Sequence, residues 1–141
     1  MRIVSWNVNG IRAAIRKGIE RYVDCLEGDI WMLQEVRALP EQLPKDWTLK
    51  EGFASAWHPA KKKGYAGVAT WAQEPMRVIS RGMGRGEDPE DSEGRVLVTQ
   101  HKGVRCINTY APSGAAKAER QSYKERWMDE WLDWLRPALA D

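Results

Sequence analysis

The unbroken apolar run Ile30-Trp31-Met32-Leu33 sits between the Gly28-Asp29 break and the polar pair Gln34-Glu35, and it limits the fold of this chain more than any other feature. Four residues are too few for a helix. The lack of polar alternation marks a central strand covered on both faces, as in a layered α/β sheet. The preceding segment agrees. Residues 2–8, RIVSWNV, read as a short strand closed by the turn dipeptide Asn9-Gly10. From Ile11 the period changes: Ile11, Ala14, Ile15, Ile19, Tyr22, Val23 and Leu26 recur at three- and four-residue steps, which predicts one amphipathic helix ended by Gly28. Strand, helix and central strand make an α/β core.

Further along, residues 37–60 read as irregular, punctuated by Pro40, Pro44 and Pro59. GYAGVATWA (64–72) and MRVISRGM (76–83) read as strands, and GRGEDPEDSEG (84–94) as a solvated acidic loop. RVLVTQ and VRCINTYA flank His101-Lys102-Gly103 as an antiparallel hairpin. Residues 115–136 read as a helix stopped by Pro137, with Tyr123, Trp127, Trp131, Trp134 and Leu135 on one face. Aromatic rings also stack bases, but a stripe at helical spacing reads as core.

At 141 residues the chain is expected to form one domain, burying roughly two-thirds of its unfolded surface if compact. Its net charge of +2 argues neither for nor against a nucleic-acid partner, so local patches decide that question. Cys25 and Cys106, far apart and each beside apolar residues, read as buried free thiols in a reducing compartment. The start MRIVSWNVNG lacks the pattern of a signal peptide, and no run approaches membrane-spanning length. The expected location is cytoplasmic, with no membrane partner.

The candidate chemistry lies at strand ends. Asn7 follows Val4-Ser5-Trp6, although asparagine is depleted in strands, and Glu35 follows Met32-Leu33-Gln34. In an α/β sheet, functional groups collect at the carboxyl ends of neighbouring strands. A carboxylate beside a neutral amide oxygen suits a hard cation such as Mg²⁺, which keeps several waters and leaves positions for phosphate oxygens. The plainer reading is a turn asparagine and a glutamate paired with Arg37 or Arg12. A third polar cluster is NTYAPSG (108–114), where Tyr110 offers a hydroxyl to a phosphate and Gly114 allows close backbone approach; a satisfied turn is the alternative.

Together the clusters carry a resemblance. The blocks IVSWNVNGIRA (3–13), LQEVRA (33–38), GYAGVA (64–69), DSEGRVL (91–97) and INTYAPSG (107–114) stand in the order found in the exonuclease III family of the endonuclease/exonuclease/phosphatase superfamily. These are Mg²⁺-dependent enzymes that cut DNA at abasic sites. Val36 departs from the family's usual threonine. The resemblance implies an α/β fold, a four-layered α/β/β/α sandwich, of which this chain supplies roughly one half. It also implies metal-site roles for Glu35, as the direct ligand, and Asn7, and contact of Tyr110 with the scissile phosphate. Arg95 matches a position associated with structure or DNA contact, and Asn9, in the first block, is a candidate DNA or phosphate contact. Lys61-Lys62-Lys63 read either as a contact to a duplex backbone or, equally, as a plain exposed charge run. The implied cofactor is Mg²⁺, with Mn²⁺ also suited, and the implied partner is double-stranded DNA with abasic sites or 3′ ends.

The same resemblance implies a Gly-Asp-x-Asn strand end after the last helix and a closing serine-aspartate-histidine. Neither occurs, for the only Gly-Asp is Gly28-Asp29, and His58 and His101 lie in other contexts. The general base and its histidine are therefore not in this chain, which is expected to be an inactive or weakly active fragment. Its residues are expected to form roughly one sheet with its helices, the inner face left bare for a complementing C-terminal half or for self-association. The alternative is a non-catalytic module that binds DNA or protein. A phosphoesterase acting on lipid or inositol phosphates is disfavoured by the complete first and last blocks.

Overall fold

The structure, a computed structural model, describes residues 1–114 and 117–140. The central run becomes strand β2 (Ile30–Gln34), which pairs in parallel with β1 (Ile3–Asn7) and antiparallel with β4 (Val68–Gln73). A further strand, β3 (Phe53–His58), completes a four-stranded sheet of order β1-β2-β4-β3. Both faces of β2 are used, as its lack of alternation predicts. Trp31 and Leu33 join Trp71, Ile11, Ile15, Ile19 and Val23 under helices α1 (Ile11–Arg16) and α2 (Ile19–Leu26). Ile30 packs the other way, against Ala72 and Cys106.

Cys106 belongs to a second, antiparallel sheet of β5 (Met76–Arg81), β6 (Val96–His101) and β7 (Val104–Thr109). Its outer face carries α3 (Ala118–Leu139), whose Trp127 is buried against Val96 and Val98 with Tyr123, Trp131 and Trp134 around it. The layers run helix, sheet, sheet, helix. Two sheets are present where one was expected, and they cover each other: β7 lies over β2 and β4, and β6 over β4 and β3. Only β1 extends beyond the second sheet, which leaves Ile3, Ser5 and Asn7 exposed on an edge strand. The expectation of a wholly bare inner face is therefore corrected to one uncovered strand.

Other expectations change locally. The single helix over 11–26 is broken at Gly18, whose φ of +87° is a left-handed conformation that glycine adopts without cost and that an α-helix does not contain. Residues 37–60 hold β3 and a short 3₁₀ turn at Pro40–Gln42. Pro137 does not stop α3, which runs on to Leu139; proline's fixed φ is helical, and near a helix end it forfeits a single backbone bond. The helix expected over 115–136 begins within the described residues at Ala118, positions 115 and 116 lying outside them. Cys106 is buried and free as expected, whereas Cys25, on the outer side of α2, is exposed. No helix among the described residues is long and apolar enough to cross a membrane.

Candidate active site

The loops after β1 and β2 and the approach to β4 are stitched together by backbone bonds. Gly10 N–H donates to Glu35 O (2.8 Å), Ile11 N–H to Val36 O (2.9 Å), Val36 N–H to Gly67 O (3.1 Å) and Arg37 N–H to Ala66 O (2.9 Å). Four non-glycine residues here hold positive φ: Asn9 (46°), Glu35 (55°), Arg37 (53°) and Ala66 (44°). Such backbone is costly and gathers where side-chain direction matters more than local comfort.

Glu35 is thereby aimed at the second sheet. Its Oε1 accepts the Tyr110 hydroxyl at 2.5 Å, and its Oε2 pairs with the Arg37 guanidinium at 2.9 Å. The short contact has the length of a charge-assisted O–H···O⁻ bond. Asn7 stands opposite Gln34 in the parallel register, one residue before Glu35, and its Oδ1 accepts the Asn9 N–H at 3.0 Å. So Asn7 closes an Asx turn and is exposed at a strand end beside the carboxylate, while Asn9 contributes its backbone to that turn.

Arg95 lies beneath this pair and is only 2% exposed. Its guanidinium donates to Glu93 Oε2 (2.8 Å), to the carbonyl of Tyr110 (3.0 Å) and to the Tyr65 hydroxyl (3.2 Å), and it lies 5.1 Å from the centre of the Tyr110 ring. Arg95 is thus a buried support for Tyr110. The 84–94 segment before it is not a merely solvated loop, for Asp91 is buried. One oxygen, Oδ2, accepts from Arg95 N–H (2.8 Å) and Val96 N–H (2.8 Å) and contacts His58 Nε2 (3.0 Å). Gly94 completes the loop so close to β3 that a Cβ there would lie 2.3 Å from the carbonyl oxygen of His58.

Burial first, and then the Glu35 carboxylate, push the Tyr110 phenol up to about 12; burial and Glu93 do the same to Tyr123. Tyr110 is therefore a neutral hydrogen-bond donor at any physiological pH. A phenol held above its unfolded value of about 10 contributes stability that is complete below pH 10 and is lost as pH climbs toward 12. Urea denaturation at pH 9, 10, 11 and 12 should record that fall, and Tyr110→Phe should make it shallower. Parallel curves for the two proteins would contradict the environment described.

Beside this pair, Asn9, Gly10, Arg12, Ala13, Arg16, Arg37 and Gly64 line an open basin of about 420 Å³. Of these, sequence reasoning named Asn9, took Arg12 and Arg37 only as partners for Glu35, and missed Arg16. Arg12 and Arg16, one helical turn apart on α1, were the available signal. Gly64 also borders a smaller cleft formed by Lys61, Lys62, Lys63 and Tyr65, so the two basic regions adjoin. Within the lysine run, Lys61 pairs with Glu90 and Lys62 rests 5.2 Å from the Tyr65 ring centre. Lys63 is exposed. Neither histidine joins the site: His58 faces Asp91, and His101 contacts the carbonyl of Pro75.

Comparison with known proteins follows the same lines. The chain is 34% identical to an exodeoxyribonuclease of Bacillus subtilis over 137 residues, covering 96% of this chain and 52% of the relative. It is 30% identical to a DNA-(apurinic or apyrimidinic site) endonuclease of Dictyostelium discoideum, covering 93% of this chain and 35% of the relative. Among solved structures, a 3′–5′ exonuclease from Neisseria meningitidis superposes with a TM-score of 0.84 at 26% identity, over 99% of this chain and 53% of that one. An AP endonuclease from Archaeoglobus fulgidus gives 0.81 at 27% identity, over 97% and 52%. The chain spans about half the length of these structures, and about half or less of these relatives. Residues 4–140 match the Endonuclease/Exonuclease/phosphatase family, and the chain belongs to that family.

Proposed function

We propose that this chain carries the metal- and phosphate-binding side of a DNA nuclease site, of the exodeoxyribonuclease and abasic-site endonuclease type. The observation that carries the reading is the meeting of Tyr110, from one sheet, with Glu35, from the other, at the rim of an arginine-lined basin. The relatives' names, exodeoxyribonuclease and apurinic/apyrimidinic-site endonuclease, support a DNA substrate.

The donor set fits a hard divalent cation. Glu35 offers one carboxylate and Asn7 one amide oxygen at neighbouring strand ends. A set of one carboxylate and one amide oxygen suits an ion that keeps most of its waters, Mg²⁺ or Mn²⁺. When bound, the ion would offset charge on the phosphoryl oxygens of a phosphodiester. Arg37, with its side chain 47% exposed, shares Glu35 and is free to exchange that carboxylate for a DNA phosphate. The Tyr110 hydroxyl donates a hydrogen bond to whichever anionic oxygen lies before it, the Glu35 carboxylate here and a phosphate when DNA is bound, while Arg95 holds its ring and carbonyl. Arg12, Arg16 and Lys63 supply sequence-blind attraction to the backbone.

A non-catalytic binding module is the second reading, favoured by the placement of both histidines away from the Tyr110–Glu35 pair. The test is a labelled duplex with one abasic site, incubated with the chain in Mg²⁺ or in EDTA and read for both binding and nicking. The account expects binding that weakens with salt and strengthens with Mg²⁺, with nicking at most slight and confined to Mg²⁺. Binding indifferent to both salt and Mg²⁺ would sink it.

A further inference from the structure

We infer that Asn108 is a positioning residue: a buried amide that locks the two sheets in the one relative placement at which the Tyr110 hydroxyl meets Glu35. This rests on the reading of that pair as the reacting site. Tyr110 follows β7 and Glu35 follows β2, so their separation depends on how the sheets lie against each other. Much of the contact between the sheets is apolar, through Ile30, Ala72 and Cys106 at one point and Ala56, Val68 and Leu97 at another. Apolar contact is non-directional and does not by itself choose one placement over a slightly shifted one.

Asn108 supplies direction. It is 1% exposed, near the end of strand β7, where asparagine is disfavoured and a β-branched residue would pack well. The two hydrogens of its Nδ2 are shared among Ala69 O (2.9 Å), Leu33 O (3.2 Å) and Thr70 Oγ1 (3.2 Å), and its Oδ1 accepts from Gln34 Nε2 (2.9 Å). One amide from the second sheet thus engages both central strands of the first. Gln34 also donates to Ser5 Oγ at 3.1 Å, which extends the network to β1, the strand that ends in Asn7. A shift of either sheet would break several of these bonds at once and leave buried polar atoms unpaired. The lock is close to what it positions. Asn108 and Tyr110 are two residues apart and so project to the same side of their strand, and Leu33 and Gln34 immediately precede Glu35.

The test is a double-mutant cycle on unfolding equilibria at pH 7, with Tyr110→Phe and Glu35→Ala, run in the parent chain and again with Asn108→Leu. In the parent the pair should couple by about tenfold in the unfolding constant. With Asn108→Leu the coupling should fall below about twofold, beyond any uniform loss of stability. A coupling that stays near tenfold while stability drops would make Asn108 a packing residue only and overturn the inference. Should Asn108→Leu fail to fold, Gln34→Met removes the bonds to Asn108 Oδ1 and Ser5 Oγ while leaving those of the Asn108 Nδ2, and the coupling should fall to about threefold; an unchanged value there overturns the inference equally. The cycle needs neither metal nor DNA. Collapse of the coupling in a chain that ignores DNA would therefore refute the nuclease reading while leaving the lock in place.

Discussion

Replacing Asp91 by alanine should destabilise the chain by about 3–5 kcal/mol, the largest stability effect expected of any single side chain in the loop before β6. The carboxylate oxygen receives two backbone N–H groups, from Arg95 and Val96, and faces the His58 ring, all at 2.8–3.0 Å and out of water. Alanine removes the acceptor and leaves these groups buried without a partner. A domain of this size is typically stable by about 5–15 kcal/mol, so the loss would be a large part of the total. Asp91→Asn keeps an acceptor oxygen at nearly the same place and should cost distinctly less. Chemical denaturation of the three proteins checks the order, and an alanine variant within about 1 kcal/mol of the parent would mean that the loop stands without this residue. The effect should reach function through Arg95, whose backbone Asp91 holds and whose guanidinium supports Tyr110.

Exchanging Glu35 for glutamine should have the opposite profile, a small change in stability and a large one in metal-dependent behaviour. The Arg37 side chain is 47% exposed, so its ion pair with Glu35 contributes at most about 1 kcal/mol, and glutamine still offers Tyr110 an acceptor oxygen. The charge that attracts a divalent cation, however, is gone. The whole Mg²⁺-dependent part of DNA binding should disappear, and any Mg²⁺-dependent nicking should drop on the order of 10²- to 10³-fold. Salt-dependent binding through Arg12, Arg16 and the lysines should survive, which separates loss of the metal site from loss of the fold. The duplex assay in Mg²⁺ and EDTA reads both quantities, and an unchanged Mg²⁺ effect would remove Glu35 from the site.

Much of this architecture was legible in the residues themselves. The unalternating β2 required layers on both sides, the tryptophan stripe identified α3 by its spacing, and the hairpin at Lys102-Gly103 was marked by its turn. The hidden features share a physical cause. β3 escaped because Ala54, Ser55 and Ala56 are small and carry almost no hydrophobic period, and their strand exists by pairing with β4. The helix break at Gly18 escaped because the apolar period continues across it.

At the site, Asn7, Glu35 and Tyr110 were visible as polar residues at the ends of apolar strands. Of their supports, Arg95 was marked by the family blocks for structure or DNA contact, but Asp91, His58 and Asn108 were given no role. All four work through partners such as Tyr65, thirty residues from Arg95, or Ala69, 39 residues from Asn108, and no local pattern encodes such a pairing. The acidic loop misled for the same reason. Its composition reads as solvated, yet one of its carboxylates is the acceptor on which the loop closes.

On the function proposed above, Glu35 and Asn7 form the cation-binding edge against which Tyr110 is held. That arrangement is tested most directly by paramagnetic broadening of the chain's NMR signals with Mn²⁺, which detects even weak occupancy. The account predicts that signals of Asn7, Glu35 and Tyr110 broaden first, at Mn²⁺ concentrations that leave the acidic loop at 84–94 untouched, and that Glu35→Gln abolishes the effect there. Broadening that begins at Glu87, Asp88 or Glu90, or that persists around residue 35 in the Glu35→Gln variant, would contradict it.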